Sequence, residues 1–346
     1  MREAPRWWRH RSLRARVLWP LSLLYRLFFV LHRAWGRWRR ARLPVAVVVV
    51  GNLTVGGSGK TPVVAALARA LAATGVRVGI ISRGYGRQRG GVRLVTGNDP
   101  LADGDEPTLL TQTTGLPVAV GADRSAAAAL LLTCSPATQV IVADDGLQHH
   151  RLPRVTEVVI VDPQQLGNGW LLPAGPLREP LARLGEASAV LVRGAANDSA
   201  ARNWVGQWVA GEKIPPTWAL AIEPVGLVPL AAWRQSGGSK GNWLPLGLLA
   251  ARPVAAVAGI AAPERFFATL AALGAQVIPY PFPDHHPFRQ EDLPPVPLGG
   301  WRLFTAKDAV KCAQWAGPHD FVLIVEARLP ESLIALVRSL GGSATP

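Results

Sequence analysis

Sulfur is scarce in this chain of 346 residues, which has two cysteines and one methionine. Cys134 and Cys312 stand far apart and outside any metal-ligand spacing. This excludes a disulfide framework or thiolate metal centre and leads us to expect buried thiols in a reducing compartment. The seven histidines and the carboxylates show no zinc or calcium pattern either. No repeat or low-complexity tract is visible. Acid is nearly missing from residues 1–42, where Glu3 alone faces twelve arginines and the segment holds +11 of the formal +14. The other 304 residues carry 25 basic and 22 acidic groups. The basicity therefore belongs to an arm, and the body is nearly neutral. At 49% hydrophobic content the body can bury a large core, and its length suggests two domains.

Such an arm suits nucleic acid or an anionic membrane surface. Its centre decides between them, because Val17 to Leu31 is apolar apart from Ser22 and Arg26. A spanning helix needs about 20 apolar residues. Here there are fifteen, with Arg26 inside and Pro20 near the start, so a helix lying in the headgroup plane is expected. Trp19, Trp35 and Trp38 suit the interface, and the arginines suit anionic lipid. A secretory signal fits the charge, but no small-x-small cleavage site follows, and His32 to Arg42 is strongly basic. The alternative is a helix packed on the protein's own core.

After the apolar run Val45 to Val50 comes Asn52-Leu-Thr-Val-Gly-Gly-Ser-Gly-Lys-Thr-Pro62. Strand, glycine-rich turn and helix start in that order form a phosphate cradle. Thr54, Val55, Gly56, Gly57, Ser58 and Gly59 turn backbone N–H groups onto phosphates. Lys60 reaches the β/γ oxygens, and Thr61 offers its hydroxyl to Mg²⁺. The strict pattern wants glycine where Thr54 stands, but Gly56 and Gly57 still supply unusual backbone angles.

Beyond the loop, helices are expected at Pro62 to Ala73 and Asp123 to Leu132. Strands are expected at Val76 to Ile81, Leu116 to Val120, Gln139 to Ala143, Thr156 to Val161 and Ala187 to Val192. This alternation predicts a P-loop NTPase-like α/β fold with a doubly wound, mostly parallel sheet. Composition loosens across Asn197 to Gly241, where a hinge is placed. A second α/β pattern follows, with strands at Val254 to Ile260, Gln276 to Tyr280, Arg302 to Thr305 and Phe321 to Val325. Helices at Pro263 to Leu273 and Glu331 to Leu340 complete it. The division expected is an arm over 1–42, a P-loop domain over 43–215 and a smaller α/β domain over 216–346 that closes over the active site.

Asp144 and Asp145 end a strand 84 residues after Lys60, where a Walker B acid belongs, and one of them is expected to hold Mg²⁺. His149 and His150, next to that pair and Gln148, read as orienting groups. In Asp103-Gly-Asp-Glu-Pro107 a carboxylate is placed either to accept a proton from an attacking hydroxyl or to cap a helix. Asp284-His285-His286-Pro287 offers an acid/base couple, a phosphate contact or a surface turn. The loop Gly167 to Pro180 carries Arg178, whose guanidinium suits phosphate, and Glu179.

These motifs, with Ser82-Arg-Gly-Tyr-Gly86, Pro263-Glu-Arg-Phe-Phe267 and Thr305-Ala-Lys-Asp-Ala-Val310, together resemble the tetraacyldisaccharide 4'-kinase (lipid A 4'-kinase) family from the arm to about Val325. The resemblance implies ATP-dependent phosphorylation of the 4'-hydroxyl of a tetraacylated glucosamine disaccharide 1-phosphate. The setting it implies is the cytoplasmic face of a Gram-negative inner membrane, with the enzyme peripheral or monotopic. It implies ATP as donor, bound by Thr54 to Thr61 with Gln148 and Arg178 nearby, and Mg²⁺ served by Thr61, Asp144, Asp145 and Glu179. It implies Asp105 as the catalytic carboxylate, supported from the other domain by His285 rather than His286. Two departures, Ala261-Ala262 and Ala306, replace more polar residues common in the family and touch no catalytic role. A monomer with a lipid substrate and no nucleic-acid partner is expected.

Two other classes compete. A deviant P-loop ATPase of the partitioning or metal-delivery type shares the Gly-Gly-Ser-Gly-Lys-Thr run, but places lysine where this chain has Val55. A nucleotide-regulated tether would use the arginine arm on DNA and lose binding with salt; the arm's apolar centre opposes it.

Overall fold

The computed structural model describes residues 5–57, 59–209, 214–236 and 243–342. Its strands are β1 (Ala46–Asn52), β2 (Val78–Ser82), β3 (Arg93–Leu94), β4 (Val118–Val120), β5 (Val140–Asp144) and β6 (Thr156–Val161). They continue with β7 (Ala189–Arg193), β8 (Thr217–Pro229), β9 (Pro253–Ala258), β10 (Gln276–Pro281), β11 (Trp301–Thr305) and β12 (Asp320–Arg328). The chain forms two compact units, one from Ala4–Arg83, Gly121–Ala221 and Ala327–Pro346, the other from Gly84–Val120 and Ile222–Glu326.

The first unit is the P-loop unit. Parallel strands run in the order β7, β6, β1, β5, β2, and the start of β8 pairs with β7. β1 and β2 are buried along their whole length, as strands of a parallel sheet covered on both faces must be. The order in which strands are added reverses around β1, with β2 and β5 on one side and β6 and β7 on the other, which makes its carboxyl end the place where such sheets bind ligands. The helix Lys60–Ala73 follows the phosphate loop. In the helix Arg124–Cys134, Asp123 caps the N-terminus by accepting from the N–H groups of Ser125 and Ala126.

The N-terminal segment is part of this unit and is no separate arm. Leu13–Trp38 is one helix of 26 residues, N-capped by Ser12 and continuous through Pro20. It docks by a narrow face of small and polar residues in which Ala15, Ser22 and Gly36 are buried. Ser22 Oγ donates to Leu171 O at 2.9 Å and accepts from Ala174 N, while Tyr25 Oη donates to Arg178 O at 2.9 Å. Arg33 and Arg37 pair with Glu186. The polar exception in the apolar run is thus a residue that faces the protein. Leu23, Leu24, Leu27, Phe28 and Leu31 face outward, Phe28 at 67% exposure.

The second unit has the strand order β10, β9, β11, β12, β8, parallel from β10 to β12, together with the antiparallel pair β3 and β4. Val257, Phe304, Val322 and Trp233 anchor one core cluster, and Leu303, Leu270 and Ala256 anchor another.

The α/β class and parallel P-loop sheet match expectation, but the division of the chain does not. Residues 84–120 leave the P-loop domain for the second unit, and the C-terminal helix Glu331–Gly342 joins the first, where it packs on β1 and the helix Lys60–Ala73. The expected hinge over Asn197 to Gly241 instead holds the helix Asp198–Gly206 and the thirteen-residue strand β8, through which the chain passes between units. Composition misled here, because tryptophans that replace the β-branched runs, Trp204 and Trp218, lie within these elements. Cys312 is buried as expected, whereas Cys134 is exposed because it ends a surface helix.

Candidate functional site

In the P-loop unit the polar groups gather at the carboxyl ends of β1, β5 and β2. Gly59 caps the helix Lys60–Ala73 at φ 80° and Gly56 sits at φ 116°, angles that the loop obtains only from glycine at low cost. Lys60 Nζ donates to Asn52 Oδ1 at 3.0 Å and lies 3.5 Å from Asp145 Oδ1. Asn52 Nδ2 in turn donates to Thr54 Oγ1 at 3.1 Å. Val55 N donates to Pro176 O, Arg178 N donates to Leu53 O, and Gln165 Nε2 donates to Gly57 O. The segment Gly167 to Pro180 is therefore stitched to the phosphate loop by backbone. Thr61 lies half-buried in the helix's first turn, and Ser58 falls outside the described residues.

Asp144 is buried at the end of β5 and accepts from Ser82 Oγ at 3.2 Å. Asp145 has φ 49°, a left-handed angle that turns its carboxylate toward Lys60 and Arg178, whose Nη1 lies 3.3 Å from Oδ2. Burial pushes the Asp145 carboxyl up, but the charges of Lys60 and Arg178 outweigh it and leave it at about 2. Arg178 Nη1 also donates to Gln148 Oε1, and Gln148 Nε2 donates to Glu179 Oε1 at 2.8 Å.

Glu179 stands next in this network, behind Gln148. Its side chain is fully buried, with Oε1 on Gln148 and Oε2 3.4 Å from Arg183, and burial raises its carboxyl above the usual range. It braces Gln148 from behind. His150 is placed differently from the orienting group that its position beside Asp144 and Asp145 suggested. It lies against the N-terminal helix, with ring contacts to Phe29 and His32 and its Cβ beside Gly36. Burial, with Arg154 next, lowers it to about 3. His149 is lowered to about 4 by burial and then by Arg124 and Arg83.

Among the described residues no three His, Cys, Asp or Glu groups converge as a metal cage. Asp144, Asp145 and Thr61 do offer the hard oxygens that suit Mg²⁺, which needs only one or two carboxylates when phosphate supplies the rest.

The second unit has its own cluster. Asp105 opens the helix Asp105–Thr114 behind Gly104, whose φ of 96° and closeness to Gly84 Cα require glycine. His285 Nδ1 lies 3.2 Å from Asp105 Oδ2, and the His285 ring lies against Tyr85 with centroids 4.9 Å apart. His285 has φ 62°, a second left-handed candidate residue. His286 points elsewhere and meets Asp292 at 3.1 Å. Lys311 Nζ stands 3.3 Å from Asp105 Oδ2 and 3.2 Å from Asp308 Oδ1. Burial raises the Asp105 carboxyl, but the His285 hydrogen bond and the Lys311 charge hold it below the usual range. Asp105 and His285 thus share one unit, contrary to the expectation of one per domain. Sequence reasoning missed Asn52, Lys307 and Lys311; the i, i+4 spacing of the two lysines on the short helix Ala306–Cys312 was the available signal.

A family model for tetraacyldisaccharide-1-P 4'-kinase matches residues 14–341. The chain belongs to this family. It is 47% identical over 329 residues to the tetraacyldisaccharide 4'-kinase of Azoarcus sp. strain BH72, covering 92% of this chain and 89% of that protein. It is 48% identical over 338 residues to that of Alkalilimnicola ehrlichii, covering 95% and 93%. The structure is similar to the crystal structure of an "apo" form of LpxK from Aquifex aeolicus in complex with ATP, with a TM-score of 0.76 and 28% identity. That similarity covers 95% of this chain and all of that one.

Proposed function

We propose that this kinase transfers the γ-phosphoryl group of ATP to the 4'-hydroxyl of a tetraacyldisaccharide 1-phosphate, the step that forms the 4'-phosphorylated lipid A precursor. The observation that carries the reading is the Asp105–His285 pair, in a family member whose other unit holds a phosphate loop. A plain ATPase has no use for a carboxylate base held ionised beside a histidine. The position of Val55 also opposes the deviant ATPase reading.

On this reading, backbone N–H groups of Thr54 to Gly59 cradle the phosphates, and Lys60 and Arg178 neutralise their charge. Asn52 aims Lys60, and Gln148, braced by Glu179, aims Arg178. Asp144 and Asp145, with Thr61, would hold Mg²⁺, which when bound neutralises charge on the β- and γ-oxygens. Asp105 takes the proton as the sugar oxygen forms its bond to phosphorus and the bond to ADP breaks. Water excluded from the phosphoryl group at that moment limits hydrolysis.

A substrate with four acyl chains stays in a bilayer, so the enzyme must reach it there. The N-terminal helix is long and apolar enough to cross a membrane. Its polar docking face and outward leucines, flanked by arginines, support a helix lying in the interface at the cytoplasmic side of the inner membrane.

The test is incubation of detergent-solubilised protein with labelled ATP, Mg²⁺ and tetraacyldisaccharide 1-phosphate. A lipid product one phosphate heavier is expected. ATP hydrolysis without any lipid product would overturn the reading in favour of the ATPase.

A further inference from the structure

We infer that Lys307 is a positioning residue: it holds His285 in the Nδ1–H tautomer, so that the histidine serves Asp105 only as a neutral hydrogen-bond donor. The inference rests on the kinase reading for its catalytic consequence and on geometry alone for the tautomer.

Lys307 Nζ lies 3.1 Å from His285 Nε2, on the side of the ring away from Asp105. An ammonium has three donors and no acceptor, so a hydrogen bond there requires a lone pair on Nε2. The single ring proton must then sit on Nδ1, where it faces Asp105 Oδ2. The opposite tautomer would set N–H against ammonium and a lone pair against carboxylate, and the doubly protonated ring would keep the first of these repulsions.

Lys307 is anchored as a cation by Asp284 Oδ1 at 3.0 Å and Glu106 Oε1 at 3.2 Å, and although burial alone would lower it, these carboxylates raise it above its ordinary value. The groups against the ring are Asp105, Lys307, Tyr85 and, from its own loop, Asp284, whose Oδ2 lies 3.8 Å from Nε2; Glu106 and Lys311 stand one contact further out, on Lys307 and Asp105. The i, i+4 spacing gives each member of the pair its own lysine: Lys307 for the ring, Lys311 for the carboxylate.

One mechanistic consequence follows. Both His285 and Lys311 engage Asp105 Oδ2, so the substrate hydroxyl meets Oδ1, and the proton it gives up stays on Asp105. His285 cannot relay that proton outward, because its far nitrogen is already committed to Lys307. The histidine orients the base and is not itself the base, as the third member of a hydrolase triad orients its histidine.

The experiment uses the full chain in detergent, labelled with ¹⁵N at histidine, with the His285 signals assigned by their loss in His285→Gln. A ring with its proton on Nδ1 and a bare Nε2 is expected, as the contacts with Asp105 and Lys307 require. Lys307→Met should convert it to the Nε2–H or doubly protonated form, while Lys307→Arg should keep Nδ1–H. In turnover, Lys307→Met should lower kcat by roughly 10²-fold with KM for ATP unchanged, and Lys307→Arg should recover part of it. A wild-type ring protonated at Nε2, or a Met variant with an unchanged tautomer, overturns the inference. If Lys307→Met fails to fold, the wild-type and Arg spectra still decide. If the wild-type protein makes no phosphorylated lipid, the kinase reading fails while the spectra judge the tautomer independently.

Discussion

Tyr25 of the N-terminal helix donates its hydroxyl to the carbonyl oxygen of Arg178 at 2.9 Å, and the guanidinium of that same arginine faces Asp145 and Gln148. The helix that carries the outward leucines is thereby tied to the arginine proposed above to neutralise phosphate charge. Burial, with Glu179 next, raises the Tyr25 phenol, so it stays protonated and donating at neutral pH. Removing one neutral hydrogen bond costs about 1 kcal/mol. Tyr25→Phe should therefore raise KM for ATP by up to about fivefold with little change in kcat, as steady-state kinetics in detergent would show. An unchanged KM would mean that the tie does not reach Arg178's side chain.

Lys60→Met removes the cation that lies 3.5 Å from Asp145. Loss of one preorganised group aimed at developing charge typically costs about 10²- to 10³-fold in kcat, and that loss is expected here. Circular dichroism should show an intact fold, since Lys60 sits at a helix start and not in the core.

Asp105→Asn and His285→Ala should each lower kcat by roughly 10²- to 10⁴-fold while leaving ATP affinity by calorimetry unchanged, because neither residue belongs to the phosphate loop. The pH dependence has a definite sign. Asp105 is depressed below its ordinary value of 3.8, so the base is ionised at neutral pH and is lost only as pH falls through that lower value. Asp105 should therefore impose no acid limb on kcat/KM between about pH 5 and pH 8. A limb in that range that vanishes in Asp105→Asn residual activity would contradict the assignment.

His150 makes stability itself pH-dependent. Buried under the helix at 4% exposure and lowered to about 3 from 6.5, it stays neutral in the folded state while the unfolded chain takes up a proton below about pH 6.5. Its contribution is fully present above that value and is lost as pH falls toward 3. Between about pH 6.5 and pH 5 one such group costs on the order of 2 kcal/mol. Urea midpoints measured across that range should fall on acidification, with a smaller slope in His150→Gln.

Membrane attachment should depend on the outward residues. Leu24, Leu27 and Phe28 are more than half exposed, and each is worth about 1.5–3 kcal/mol when buried in an apolar phase. Replacing all three by serine should abolish sedimentation with anionic vesicles. Turnover of the substrate presented in detergent should survive, since these side chains face away from the docking contacts of Ser22 and Tyr25.

The phosphate loop, the helix after it and the paired aspartates were legible in the sequence because each is local. A run of β-branched residues, a glycine turn and Lys60-Thr61 specify strand, loop and helix within about twenty positions, and Asp144 ends a strand whose apolar pattern announces it. The family too was legible, since eight motifs in order survive any arrangement in space. Contacts between distant segments were not. Asp105 and His285 stand 180 positions apart, Tyr25 and Arg178 153 apart, and Lys307 reaches Glu106 across 201. The resemblance already favoured His285 over His286, but the contact itself depends on a left-handed backbone angle at His285 that no local pattern specifies. The same holds for residues 84–120, whose place with the second unit is set by the packing of Leu109 in its core. Spacing along a chain reports one helix face or one strand end, whereas which segments touch is a property of how the whole core closes.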